Sequence, residues 1–457
     1  MFARLLVIVP AIIVFAVRCT EASLSPRIVN GFATDQYPAV AMIAFYSSPA
    51  QDELIGLCSG SLVGCRTVVT AAHCVCPDNA DTYASCQAQG IVPSGQIAVF
   101  LPHVGILEVE SVSVHPNYEF GSGYDAAVLR LAEPAAGVPP LQFARVKPAA
   151  GTLGRVVGYG TTRSGLRAVD DTGIKREGPI VFGPCPQDVP SDLNVCWNFT
   201  GMGSNTCSGD SGGAVLVTED GTERLAGVVS GGSSIDCQAP DESFATAIAG
   251  VSGWIEATAA DDVGAACASE GLLGDGTTFT RTYSVTLNSG SPQFEQQLEL
   301  TSDTLELRAT FNGQTGNAGG FLNRDNDFDL LLGQANGSTI DWVCRDERVE
   351  NWGACRVSRP QPGTWIVKLL RSAGAGPAQL TVTMFRAPAD CPGDCNGDGN
   401  VDVSEVVTAV NVLLGWTPVD LCRAADRNGD GEVTVDEIVQ AVNAVLTGCP
   451  VATEQLG

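Results

Sequence analysis

Three polar side chains suited to one reaction are scattered through the first half of this chain, each beside a short run of small and β-branched residues. His73 falls in Val69-Thr70-Ala71-Ala72-His73-Cys74. Asp125 opens Asp125-Ala126-Ala127-Val128-Leu129-Arg130-Leu131, and Ser211 sits in Cys207-Ser208-Gly209-Asp210-Ser211-Gly212-Gly213. Such runs read as short strands, with turn residues at the breaks. A serine hydroxyl is a weak nucleophile that needs a general base and hydrogen-bond donors for the developing oxyanion. The three side chains therefore do chemistry only if the fold brings these distant strand edges together.

Each feature is ordinary by itself. A Gly-Asp-Ser-Gly is commonly a polar turn, and an Asp before an apolar strand commonly caps it. The chain has three histidines, and His103 and His115 adjoin prolines, as loop residues do. The glycines around Ser211 let the backbone turn tightly, which assigns the oxyanion donors to the amides of Gly209 and Ser211. Asp125, beside its apolar strand, is placed to be buried and to hold one imidazole tautomer.

The order His, Asp, Ser differs from the orders of the α/β-hydrolases and the subtilisins. Together with Arg27-Ile28-Val29-Asn30-Gly31, these motifs resemble the landmarks of the chymotrypsin/trypsin family over residues 28–258. The resemblance implies a two-barrel protease domain with His73, Asp125 and Ser211 as the triad. It also implies activation by cleavage after Arg27, the freed Ile28 ammonium pairing with Asp210. Cys58–Cys74, Cys185–Cys196 and Cys207–Cys237 match three family disulfides. A fourth is missing, and Cys65, Cys76, Cys86 and Cys267 have no assigned partners. The resemblance puts Asn205, Ser230 and Gly232 in the substrate pocket. Asn205 stands where trypsin-like members carry an Asp, so basic, polar and aromatic P1 side chains all stay open. Asp241 or Glu242 could restore the charge from another side.

Residues 1–22 read as a secretory signal peptide, since Arg4 precedes the apolar run Leu5–Val17, which is short for a membrane span. A retained anchor is the alternative. Residues 23–27 would be a short propeptide. Seventeen cysteines fit export to an oxidising compartment. The net charge of −26 argues against nucleic acid and anionic membranes as partners. The expected location is extracellular and the expected substrate a protein or peptide.

Beyond an acidic linker at 259–276, residues 277–386 alternate apolar and polar positions, as in Leu305–Phe311, and predict a small β-sandwich. Asn326-Asp327-Phe328-Asp329-Leu330 and Gly363-Thr364-Trp365-Ile366-Val367 there resemble the bacterial pre-peptidase C-terminal domain, and Cys344 with Cys355 would bridge a hairpin. Residues 391–450 hold a repeat. Asp394-Cys395-Asn396-Gly397-Asp398-Gly399 returns 32 positions later as Asp426-Arg427-Asn428-Gly429-Asp430-Gly431, and an amphipathic helix follows each. The spacing fits an EF-hand-type Ca²⁺ loop. The first loop offers Asp394, Asn396, Asp398, Asn400, Asp402 and Glu405. The second offers Asp426, Asn428, Asp430, Glu432, Thr434 and Glu437. One helix per loop resembles dockerin modules, which leaves a docking role and a purely structural role both open. Cys391, Cys395, Cys422 and Cys449 could form two bridges. The fold class expected is mainly β: two barrels, a sandwich, then a small α-helical EF-hand/dockerin-like module. The competing functional reading is a catalytically silent extracellular binding protein.

Overall fold

A computed structural model describes residues 28–163, 171–265, 277–301, 304–316, 325–386, 391–396, 400–427 and 431–449. The expected signal peptide and propeptide, Cys267, and the loop residues Asp398, Gly399, Asn428 and Asp430 lie outside the described residues.

Six strands close the first barrel: β2 (Val40–Tyr46), β3 (Leu54–Leu62), β4 (Thr67–Thr70), β5 (Ile97–Leu101), β6 (Gly105–Val114) and β7 (Ala127–Leu131), in the order β2-β3-β4-β7-β6-β5. All seven residues of β2 are buried, because both of its faces meet apolar surface. Ala41, Ile43 and Phe45 fill the barrel, while Val40, Met42, Ala44 and Tyr46 point into a second core shared with the next barrel. The two-residue period of a strand makes this division.

The second barrel holds β8 (Leu153–Gly158), β9 (Arg176–Gly183), β10 (Asn194–Phe199), β11 (Ala214–Glu219), β12 (Thr222–Gly232) and β13 (Asp241–Ala247). They run β9-β10-β13-β12-β11-β8, a β8–β9 pairing closes the ring, and β1 (Phe32–Ala33) adds to β9. Helix α3 (Ile248–Ala259) follows and seats Ile248, Val251 and Ile255 in the inter-barrel core. Asp262 then accepts hydrogen bonds from the Arg66 amide at 2.8 Å and the Thr67 hydroxyl at 2.6 Å, so the chain just after α3 lies against the first barrel. Two short helices, α1 (Ala72–Val75) and α2 (Tyr83–Gln89), follow β4 and are tied together by Cys76–Cys86. Cys65 is disulfide-bonded as well. Cys58–Cys74, Cys185–Cys196 and Cys207–Cys237 form as the resemblance implied.

The third unit is a sandwich of two antiparallel sheets. One is β14 (Thr277–Leu287), β21 (Gly376–Arg386), β16 (Thr304–Gly313) and β19 (Trp352–Ser358); the other is β15 (Gln293–Leu300), β20 (Gly363–Ala373), β17 (Asp327–Asn336) and β18 (Thr339–Asp346). Cys344 on β18 and Cys355 on β19 are bonded. Those strands belong to opposite sheets, so the bridge staples the sandwich across its core and does not close a hairpin. The chain ends its described course in α4 (Val403–Leu413) and α5 (Val435–Thr447), with Cys391–Cys449 and Cys395–Cys422 closing the small module. Two bridges suit a unit with so little apolar core.

Candidate active site

His73 rides on α1, the single turn that follows β4. Asp125 lies just before β7, the neighbour of β4 in the first barrel. That pairing brings the two side chains together. His73 Nδ1 lies 2.7 Å from Asp125 Oδ2, and the His73 amide donates to Oδ1 at 2.9 Å. The Asp125 side chain is 0% exposed and the His73 side chain 27%, so the carboxylate is sealed while the ring edges into solvent. Ser230 on β12 donates its hydroxyl to Asp125 Oδ2 at 2.6 Å. Burial works to raise the Asp125 pKa, but the His73 charge, its hydrogen bonds and the Ser230 hydroxyl outweigh that and hold it below its ordinary value. Burial likewise works to lower the His73 pKa, and the Asp125 charge and hydrogen bond overcome it, leaving His73 above its ordinary value.

Ser211 lies in the tight turn leading into β11. Gly209 at φ +92° and Gly212 at φ +80° flank it in the left-handed region that favours glycine. A Cβ on Gly212 would also fall inside contact distance of Thr70 Oγ1 and the Ser59 carbonyl. The turn therefore rests directly on the strand that delivers His73. The Ser59 amide donates to the Ser211 carbonyl at 2.8 Å, and that carbonyl oxygen lies 3.8 Å from Cys74 Sγ. The Ser59 hydroxyl donates to the Gly209 carbonyl at 2.9 Å. Among the described residues, none accepts a hydrogen bond from the Gly209 or Ser211 amide.

Asp210 is buried, and its carboxylate accepts from the amides of Gly160 at 2.8 Å and Cys207 at 2.9 Å. Burial pushes its pKa up to about 7, although those amides and Arg176 pull the other way. Ile28 is fully buried in the second-barrel core, and the Val29 carbonyl accepts from the Asn205 amide at 3.0 Å. In the uncleaved chain the Ile28 nitrogen is a peptide amide and carries no charge to offer Asp210.

Asn205, expected in the substrate pocket, is bonded to Asp241. Asn205 Nδ2 donates to Asp241 Oδ2 at 2.6 Å, while its Oδ1 accepts from Trp197 at 3.1 Å and Ser243 at 2.7 Å. Asp241 also accepts from the Ser233 hydroxyl and the Ser234 amide. A Cβ on Gly232 would meet Asp241 Oδ2 at 2.9 Å, so that glycine opens onto the carboxylate. Glu242, the other acidic candidate, is exposed on the opposite side of β13. Ser230, expected in the pocket, commits its hydroxyl to Asp125.

Reasoning from sequence missed Phe120, whose ring stands edge-on 5.4 Å from the His73 ring, and the bracing hydroxyl of Ser59. Neither lies in a motif that marks it. His115 stacks on Tyr124 at 4.8 Å, outside the site.

In the C-terminal module the two Glu residues at the last loop position turn inward. Glu405 accepts from the amides of Cys395 and Asn396, and Glu437 from that of Arg427. Among the described residues, no group of three His, Cys, Asp or Glu is arranged to hold a metal ion.

A family profile described as Trypsin matches residues 28–255. "Trypsin zeta" of Drosophila melanogaster is 30% identical over 255 residues, covering 51% of this chain and 86% of that protein. "Trypsin" of Saccharopolyspora erythraea is 32% identical over 184 residues, 38% of this chain and 75% of that one. "Limulus clotting factor C" of Carcinoscorpius rotundicauda is 28% identical over 253 residues, 48% of this chain and 24% of that one. The chain belongs to the trypsin family, and its two-barrel domain is that of a serine-type endopeptidase.

Proposed function

We propose that the chain is a secreted endopeptidase that cleaves peptide bonds after basic residues through an acyl-enzyme on Ser211. The sealed Asp125 carboxylate 2.7 Å from His73 Nδ1 carries this reading. It leaves Nε2 as the basic nitrogen. His73 takes the Ser211 hydroxyl proton as Oγ attacks the scissile carbonyl. The tetrahedral oxyanion is held by the Gly209 and Ser211 amides. Collapse breaks the C–N bond, and His73 returns the proton to the leaving amine. Water then repeats the sequence on the ester, releasing the acid and restoring Ser211.

Cleavage after Arg27 would supply the missing cation. A buried carboxylate pushed up to about 7 is poorly stabilised as an anion, and an Ile28 ammonium would let it ionise. The basic preference rests on Asp241: three hydrogen-bond donors, from Asn205, Ser233 and Ser234, offset the cost of burying its carboxylate where a basic side chain could meet it. The bridges fit an oxidising, extracellular setting.

For the C-terminal module we propose Ca²⁺ binding and a docking role. The two loops offer oxygen donors only, and the inward carboxylates of Glu405 and Glu437 fit a hard cation. Bound Ca²⁺ would supply positive charge that orders each loop against its helix. Docking is supported by matched apolar stripes left exposed: Val403, Val407 and Leu414 on α4 and just past it, and Val435, Val439 and Leu446 on α5.

A fluorophosphonate probe tests the catalytic reading. Mature protein should be labelled at Ser211, with labelling lost and kcat reduced by several orders of magnitude in Ser211→Ala. Folded, processed protein that takes no label would instead mark a silent binding protein.

A further inference from the structure

On an isolated sandwich, polar residues that alternate with the core residues of a strand face water. On β16 they do not. Leu307, Ala309 and Phe311 fill the sandwich core, yet Arg308, Thr310 and Asn312 on the other face are each 1% exposed. The protease domain covers them. Arg308 donates to the carbonyls of Ala136 at 2.7 Å and His103 at 3.2 Å, and the Thr310 hydroxyl donates to that of Pro102. These contacts grip the first barrel.

A second set grips something more consequential. Asn312 Nδ2 donates to the Gly173 carbonyl at 3.0 Å, the Thr315 amide to the Thr172 carbonyl at 3.1 Å, and the Thr315 and Thr172 hydroxyls pair at 2.7 Å. Gly173, at φ +94°, approaches so closely that a Cβ there would fall inside contact distance of the Gly313 carbonyl. Gln379 Nε2 donates to the Thr34 carbonyl at 3.0 Å, while its Oε1 accepts from Asn312 at 3.1 Å; the Thr34 amide in turn donates to the Lys175 carbonyl. Three sandwich side chains thus hold residues 172–175 from two directions.

That segment leads straight to the nucleophile turn. The Gly173 amide donates to the Tyr159 carbonyl at 3.1 Å, and Arg176 Nη1 to the Gly160 carbonyl at 2.9 Å. Asp171 accepts from the amide and hydroxyl of Thr162, both at 3.0 Å. Residues 159–162, held this way, donate to the turn itself: Gly160 N–H to Asp210 at 2.8 Å, Thr161 N–H to the Ser208 carbonyl at 2.9 Å. Gly209 and Ser211 lie between and beside those anchors.

We propose that the β-sandwich is a positioning element of the peptidase: Asn312, Thr315 and Gln379 fix residues 172–175, which through residues 159–162 fix the turn carrying the Gly209 and Ser211 amides. The chain of contacts is continuous, and both of its ends are buried or glycine-restricted. The catalytic consequence rests on the reading of those amides as the oxyanion donors.

The test uses the full-length mature enzyme with Asn312→Ala/Thr315→Val. Amide hydrogen exchange should quicken in peptides covering 158–163 and 205–213, and kcat should fall about tenfold with KM changed little, because a misplaced oxyanion donor costs transition-state binding. Thr315→Ser alone, which keeps the hydroxyl and Asn312, should leave both at the parent values. Thr310→Val, at the first-barrel contact, should leave kcat within about twofold of the parent. Exchange that quickens only at 171–175 and 310–316, with 205–213 unchanged, overturns the proposal. Parent enzyme that shows the exchange coupling but no Ser211 labelling would instead overturn the triad.

Discussion

At the residue scale, the His73–Asp125 pair sets a pH dependence. In the proposed mechanism only neutral His73 accepts the Ser211 proton, so kcat/KM should fall as pH drops through the His73 pKa. Asp125 holds that pKa above 6.5 against burial. In Asp125→Asn burial acts without the opposing charge, so the acidic limb moves to lower pH. The orienting carboxylate is lost as well, and kcat falls by about 10⁴. An acidic limb that stays in place would show that Asp125 does not set the His73 pKa. Asp241 makes a separate claim. Exchanging it for Asn removes the carboxylate to which Asn205 donates. Activity on Arg or Lys P1 peptides should fall roughly 100-fold relative to Leu or Phe, about 3 kcal/mol. An unchanged ranking across a P1 peptide library would remove Asp241 from specificity. The pairing of His73 with Asp125 was legible because each sits in a compact local motif. Which of Asp241 and Glu242 would lie beside Asn205 was not legible, because it depends on the face of β13, and the pleat turned Asp241 inward and Glu242 out.

At the element scale, the two barrels were legible only through the family that the motifs resemble; the short apolar strands alone did not show that β2 would bury both of its faces. The sandwich strands were legible from their apolar/polar alternation, and Cys355 was legible as the partner of Cys344; that their bridge spans two sheets was not, since sheet membership is not a local property. The module is where elements would depend on an ion, under the proposed Ca²⁺ binding. Helices α4 and α5 bury repeat-related residues, Glu405, Ala409 and Val412 against Glu437, Ala441 and Ala444. Each buries a carboxylate in its first turn. If the loops bind Ca²⁺, chelator removes the charge that balances those carboxylates. The module's melting transition should then drop by several degrees and return with added Ca²⁺, following mass action. A melt indifferent to chelator and to Ca²⁺ would make the loops simple turns.

At the scale of the whole molecule, the sandwich behaves as part of the protease's own interior. Trp352, from β19, is 2% exposed and lies in one apolar cluster with Val40, Met42, Ala44 and Tyr46 of β2, and with Val157, Ala214 and Leu216 of the second barrel. Nothing in the sequence singled it out, because a Trp at a strand start reads as sandwich core. Its burial between units follows from which face of β19 is covered. A large side chain shared by two units couples their unfolding, because neither can open without exposing it. Calorimetry on the Ca²⁺-loaded enzyme should therefore show the barrels and the sandwich melting in one transition. Trp352→Ala should lower that transition for both units together, with a stability loss of about 3–5 kcal/mol for emptying a fully packed aromatic site. Separate barrel and sandwich transitions, with the barrel transition unmoved by the substitution, would mean that the interface is adhesive only and that the peptidase is complete without it.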